Sequence, residues 1–231
     1  MTLQEAIIAR HSVRQYLEKP VEAEKIEAIK ACTDECNAQG GLHIQVVTEE
    51  PTAFQNGLAK YGQFRNVNYY LALVGPKGKE SDERIGYYGE RIVLLMQTLG
   101  LNSCWVVLSF KNVREAYSLA EGEELKGVIA FGYGANQGRQ HPQKRTIADV
   151  TVNKSGIDFP DWFVRGMESA LLAPTAMNQQ RFEFILWEGN KVEAKTRFAL
   201  NSYAYLDLGI VKYHFEVGAG EHCFTWVKKE K

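Results

Sequence analysis

Within the first fifteen residues, Arg10-His11-Ser12-Val13-Arg14 gathers two guanidinium groups, an imidazole and a hydroxyl. That set suits a dianionic phosphate, because arginine offers a planar fork of donors and charge-assisted bonds outlast neutral ones. A second candidate is Leu172-Ala173-Pro174-Thr175-Ala176-Met177-Asn178-Gln179-Gln180. A helix that stops at a proline and runs into small residues brings backbone close to a flat ligand. Asn178 and Gln180 can both donate and accept, as a heteroaromatic edge requires. In Leu99-Gly100-Leu101-Asn102-Ser103-Cys104-Trp105-Val106-Val107, a glycine-terminated helix gives way to an apolar strand. That junction leaves backbone N–H groups free. His141, Lys144 and Arg145 form a fourth cluster, a second cationic grip for a phosphate. Taken alone, each segment also fits an ordinary structure: a solvated turn, a helix-to-strand connection, a C-cap or a charged surface.

The elements that must position these groups can be read from periodicity. Thr2 and Glu5 stand at capping-box spacing, so a first helix starts there and loses regularity near Arg10. Pro20 opens a second helix with Ile26 and Ile29 inward, closed by Gly40-Gly41. Leu42, Ile44 and Val46 alternate like a half-buried strand, and Tyr69 to Val74 reads as a central one. Ile85, Tyr88, Ile92, Leu95 and Leu99 give the strongest helical period, ending at Gly100. Strands follow at Ser103 to Leu108 and Val128 to Tyr133, with a short helix near Val113 to Leu119 between them. Gly134 to Gly156 has no apolar period and reads as a long connecting arm. Beyond it come a helix from Asp161 to about Leu172 and a hairpin of Phe182-Trp187 and Val192-Arg197 turning at Gly189-Asn190. A helix near Leu206 to Val217 and a strand at Cys223 to Val227 close the order. Strands and helices mix without strict alternation, which predicts an α+β fold with a mixed β-sheet sandwiched by helices in one compact unit.

The totals exclude several classes. With 231 residues, 45% hydrophobic content and a formal net charge of -1, the chain lacks the basic excess of a nucleic-acid binder. No apolar run approaches the roughly 18 residues of a membrane span, and Met1-Thr2-Leu3-Gln4-Glu5 is not a signal peptide. A cytoplasmic location is the expectation. Cys32 and Cys36 share a helix face but lack the further ligands a zinc site needs, so no metal is expected. All four cysteines read as reduced thiols, Cys104 and Cys223 as packing residues. No Gly-x-Gly-x-x-Gly follows a strand, which argues against a separate dinucleotide domain.

Together and in this order, the candidate segments resemble the FMN-dependent nitroreductase family. Arg10-His11-Ser12-Val13-Arg14 is similar to its Arg-x-Ser-x-Arg/Lys opening, and Ala173 to Phe182 to its Ala-Pro-Ser-Ala-x-Asn-x-Gln-Pro-Trp segment. Arg181 and Phe182 replace the last two residues of that pattern. Gly100 to Trp105 resembles Gly-Leu-Gly-Thr/Ser-Cys-Trp, with Asn102 for the second glycine. Phe131-Gly132-Tyr133-Gly134 and the cations after it resemble the family's last phosphate contact.

In ordinary members the Ala-Pro-Ser segment follows the second helix and reaches across a dimer to the partner's flavin. Here Cys36-Asn37-Ala38-Gln39-Gly40-Gly41 stands in that place, and the segment recurs near Pro174 after a fresh helix. The chain therefore resembles the branch that fuses a truncated second copy to the first, as do Tyr87-Tyr88-Gly89-Glu90 and Asp207-Leu208-Gly209-Ile210. The resemblance implies a three-layer αβα pseudo-dimer within one chain. Residues 1–150 would be the first half, and 151–231 a truncated second half completing one flavin site. It implies a monomer with FMN as cofactor, NAD(P)H as electron donor and a small electron-poor acceptor, nitroaromatic or quinone-like, reduced by ping-pong hydride transfer.

By the same resemblance, Arg10, Ser12 and Arg14 hold the phosphate and ribityl end, with His11 adjacent and Lys144 and Arg145 closing on the phosphate. Pro174, Thr175, Ala176 and Asn178 line the ring, backbone at Val106 and Val107 faces its reactive edge, and Arg65 stands near its pyrimidine side. No side chain need act as acid or base. A flavin-binding sensor or store without turnover, and a related flavin chemistry such as reductive dehalogenation, stay open as alternatives.

Overall fold

The computed structural model describes residues 1–55, 57, 61–197, 203–220 and 222–227. Helix α1 (Leu3–Ala9) begins as its spacing predicts: Glu5 N–H donates to Thr2 Oγ1 at 3.2 Å and Thr2 N–H to the Glu5 carboxylate at 2.8 Å. It ends where Arg10 turns extended. Helix α2 (Ala23–Gly40) starts after Glu22 rather than at Pro20, and Gly41 closes it at φ 57°. That left-handed conformation costs glycine nothing.

Strands β1 (Gln45–Val47), β2 (Tyr69–Pro76), β3 (Asn102–Val106) and β4 (Glu123–Gly132) form an antiparallel sheet in the order β1-β2-β4-β3. Leu42 and Ile44 are buried but precede β1, and the short helix expected near Val113 is a single 3₁₀ turn, Arg114–Ala116. The central β2 shows the two-residue period of a strand buried on both faces. Leu71 and Leu73 join Ile85, Ile92 and Met96 of helix α3 (Lys79–Thr98) on one face, while Tyr70, Ala72 and Val74 join Val13, Tyr16, Phe54 and Phe64 on the other.

The polar arm is more ordered than its composition predicts. Thr146 and Asp149 form a capping box that starts the one-turn helix α4 (Ile147–Val150), and strand β5 (Thr151–Lys154) follows directly. With helix α5 (Asp161–Leu171), strands β6 (Phe182–Trp187) and β7 (Lys191–Thr196), helix α6 (Tyr203–Ala219) and strand β8 (Thr225–Trp226), it builds a second sheet of order β5-β6-β7-β8. The expectation of one mixed sheet is corrected by this split: the first sheet is antiparallel, and only the second is mixed, with β5 parallel to β6 and β8 parallel to β7. The hairpin turns where expected, with Gly189 and Asn190 at φ 67° and 55°.

One order of elements is followed twice. A helix, an antiparallel strand pair, a long helix and a strand occur as α2, β1, β2, α3, β3 and again as α5, β6, β7, α6, β8. In the second pass β8 pairs directly with β7, in the place β4 takes beside β2. The long helices α3 and α6 cross at glycines. A Cβ on Gly86 would fall 2.8 Å from the Leu206 carbonyl carbon, and one on Gly209 would fall 2.5 Å from Tyr87 N. The contacts are reciprocal: Gly86 rests on the Leu206 carbonyl, Gly209 on that of Glu83. A two-fold axis between two copies generates contacts of this kind.

Candidate functional site

The basic segment is held as an extended strand at the edge of the first sheet. Val13 N–H donates to Ser103 O at 3.0 Å, and Ser12 bridges Ser103 of β3 in parallel. On its far side Arg65 N–H donates to Arg14 O at 3.0 Å, and Tyr16 N–H to Arg65 O at 3.1 Å. Alternation then sorts the side chains. Val13 enters the core by that alternation, and Tyr16, although on the phase of Ser12 and Arg14, is buried there as well past the end of the alternating run, its hydroxyl donating to Val13 O at 2.7 Å. Arg10, Ser12 and Arg14 share the opposite side and line a cavity of about 340 Å³.

That cavity brings together segments from both ends of the chain. Of the residues singled out in the sequence, Arg10, His11, Ser12, Arg14, His141, Lys144, Pro174, Thr175, Asn178 and Gln180 are part of its wall. The arm folds across the 174–180 loop: Lys144 Nζ donates to Met177 O at 3.3 Å, and Asn178 Nδ2 to Pro142 O at 3.2 Å. Five expected residues stand elsewhere. Val106 and Val107 border a neighbouring cavity of about 410 Å³ that shares Arg14. Arg145 is exposed and outside both linings, and Ala176 lies behind the wall with its N–H donated to the Asp207 carboxylate at 3.0 and 3.1 Å. Arg65 serves the basic segment through its backbone and reaches neither cavity.

The electrostatics of the wall are one-sided. Arg10, Arg14, Arg139 and Lys144 line it, with no aspartate or glutamate among the lining residues. Burial presses the Arg10 guanidinium below its ordinary value, and Glu90 opposes that shift. Burial, then the charges of Arg10 and His141, lower His11 as well, so its ring offers a neutral donor and acceptor.

The loop beneath is strained and tied down. Met177, Asn178 and Gln180 all take left-handed backbone, with φ of 52°, 52° and 49°. Such residues cost on the order of 1 kcal/mol or more each and persist where surroundings hold them. Gln180 Nε2 donates to Leu171 O at 2.8 Å and its backbone N–H to Thr175 Oγ1 at 3.1 Å. Gln180 Oε1 is buried without a partner, an acceptor left over in a residue that lines the cavity. Burial raises the Asp207 carboxyl to about 7, against the lowering effect of the Ala176 N–H.

Sequence reading missed Arg139 and Asp207 as members of the site. Arg139 carried a usable signal, a cation in the same polar stretch as Lys144. Asp207 stood out only within the Asp207-Leu208-Gly209-Ile210 resemblance, and its tie to the loop was invisible because its partner Ala176 is distant in sequence.

Asn102, the departure from the resemblance's second glycine, has a structural task. Its Oδ1 accepts from Gly134 N–H at 3.0 Å and its Nδ2 donates to Gln137 Oε1 at 3.2 Å, fixing the start of the arm.

Compared with known families, residues 2–219 match the one described as Putative TM nitroreductase. The chain belongs to this family. Among solved structures, a putative nitroreductase from Thermotoga maritima superposes with a TM-score of 0.67 at 22% identity, over 94% of this chain and 83% of that one. The fold is therefore shared. A putative nitroreductase in complex with FMN from Desulfovibrio desulfuricans aligns at a TM-score of 0.49 and 17% identity, over 64% of this chain and 94% of that one. A putative NADH dehydrogenase/NAD(P)H nitroreductase from Bacteroides thetaiotaomicron gives 0.49 and 22%, over 62% and 92%. No curated protein matches the chain. Among the described residues no helix is long and apolar enough to cross a membrane, and no group of acidic, histidine or cysteine side chains could hold a metal ion.

Proposed function

We propose that this nitroreductase-family chain holds one FMN non-covalently in the cationic cavity. There it serves as an NAD(P)H-dependent reductase of a small electron-poor acceptor, nitroaromatic or quinone-like. The observation that carries the reading is the wall itself: four cations and no carboxylate, in a chain whose net charge is -1. Such a surface favours an anion, and its volume of about 340 Å³, extended by the neighbouring cavity through Arg14, falls within the range of small-molecule sites.

In this reading Arg10, Ser12 and Arg14 hold the phosphate end, and Lys144 closes on it from the arm with Arg145 one residue further on. His11, lowered by burial and by the charge of Arg10, adds a hydrogen-bonding ring beside them. Pro174, Thr175 and Asn178 line the ring, with Ala176 fixing the loop from behind. Backbone N–H groups at Val106 and Val107, in the adjoining cavity, would be placed to favour negative charge on the reactive edge of a bound flavin. FMN, when bound, supplies hydride acceptance from NAD(P)H and donation to the acceptor in two separate half-reactions. The chain's residues would orient it, and the proton that completes reduction of the acceptor would come from water.

The pseudo-dimer reading is supported by the repeated order of elements and by the reciprocal crossing at Gly86 and Gly209. It divides the chain into 1–150 and a truncated 151–231, and expects a monomer, because one chain contributes both walls. Flavin titration of the purified protein tests this. One FMN per chain on a monomer is expected; two per chain, or binding only by a dimer, would overturn it.

A further inference from the structure

Arg10 is 7% exposed, and its buried side-chain Nε has no hydrogen-bond partner among the described residues, so charge is what holds that part of the guanidinium at the cavity wall. Its nearest charge is Glu90 of α3, with Oε1 at 3.7 Å from Arg10 Nε. Glu90 is fully buried and anchored twice more. Its Oε2 accepts from Trp105 Nε1 at 2.8 Å, and its Oε1 lies 2.8 Å from His214 Nε2 on α6. His214, also fully buried, meets Ser169 O of α5 through Nδ1 at 3.0 Å. A carbonyl only accepts, so Nδ1 is the donor to Ser169, and Nε2 shares a hydrogen bond with the Glu90 carboxyl. Nothing in the proposed site uses Glu90 or His214, yet they are among the few polar side chains with no exposure at all.

We infer that Glu90 and His214 are positioning residues for Arg10. They form a buried chain from the second part of the molecule, through α3, to the cation that grips the ligand's phosphate. This rests on the proposed FMN site and names how its phosphate grip is held. Glu90 compensates a guanidinium that burial would otherwise expel, and His214, braced on Ser169, keeps the carboxylate from turning to another partner. The charge that fixes Arg10 thus comes from α3, and its orientation from α6, so the phosphate grip forms only when the two helices are docked.

The test compares FMN with riboflavin, which lacks the phosphate, by fluorescence titration of the intact chain. The ratio of their dissociation constants isolates the phosphate contribution. Glu90→Gln and His214→Gln should each lower that ratio about tenfold while leaving riboflavin affinity within about twofold. In an Arg10→Ala background neither should lower it further, since the chain acts through Arg10. A ratio unchanged in either folded variant, or equal losses for both flavins, would overturn the inference. Should Glu90→Gln fail to fold, His214→Gln decides alone by the same ratio, with His214→Asn in its place if it too fails. Wild-type protein that binds neither flavin overturns the FMN reading itself, a different result from wild-type binding with an unaltered ratio in the variants.

Discussion

Adding one methyl group at Gly209 should loosen the junction on which both halves of the site depend. The Cβ of Gly209→Ala would stand 2.5 Å from Tyr87 N and 2.9 Å from the Glu83 carbonyl carbon, with the Glu83 oxygen nearer still. Ordinary contacts need about 3.5 Å, and backbone atoms cannot rotate away, so α3 and α6 must part by roughly 1 Å. A gap of that size forfeits a quarter to a half of each dispersion contact along the crossing. Overpacking typically costs about 1–3 kcal/mol, and this case lies at the upper end because the obstacle is backbone. Alanine returns about 1 kcal/mol of helix propensity. The net loss is about 2 kcal/mol, or roughly 4–8 °C in Tm for a chain of this size. Urea unfolding should show a lower midpoint at an unchanged slope. Gly86→Ala meets Leu206 in the reciprocal way and should cost a similar amount. The double variant should cost less than the two together, because helices already parted for one methyl admit the other. A Gly209→Ala protein as stable as the parent, or more stable, would refute the close-crossing argument.

Three further outcomes follow from the site. Arg10→Ala combined with Arg14→Ala should release FMN, read as loss of yellow colour on gel filtration; retained colour would count against the phosphate role. Asp207 has its carboxyl raised from 3.8 to about 7, so between those values the folded state holds a proton that the unfolded state has lost. Its stabilising contribution is therefore full below about pH 4 and is lost as pH rises through about 7. Asp207→Asn, whose amide oxygen still accepts from Ala176 N–H, should flatten that part of the stability-versus-pH curve; an unchanged curve would deny Asp207 this role. Gln180→Leu removes the donor to Leu171 O and leaves that buried carbonyl unmet, so a loss of about 1–3 kcal/mol is expected in urea unfolding.

How much of this was legible in the sequence depended on the range of the interactions. Local chemistry read cleanly: the Thr2–Glu5 capping box, the apolar period of α3 and the Gly189-Asn190 turn all carry their cause within a few residues. The two main walls of the cavity were also visible, because Arg10 to Arg14 and Pro174 to Asn178 are each contiguous. What escaped lives in pairings. β5 is four residues long with three of them polar, and becomes a strand only by lying parallel to β6. The division into two sheets follows from that pairing and has no local trace. Glu90 read as one residue of a helix, and its partners Arg10, Trp105 and His214 lie on three other segments. Val106 and Val107 were expected at the same cavity as Arg10, but β3 ends at Val106 and they line the adjoining one.

The central claim is that the cationic cavity holds an FMN that exchanges electrons with a nicotinamide. An anaerobic absorbance spectrum of the purified, FMN-supplied protein, taken before and after adding NADH and then NADPH, tests it most directly. A flavin band that bleaches with at least one of the two nucleotides and returns when a quinone is added is expected. A flavin band that neither nucleotide bleaches would contradict the reductase, and no band at all would contradict the site.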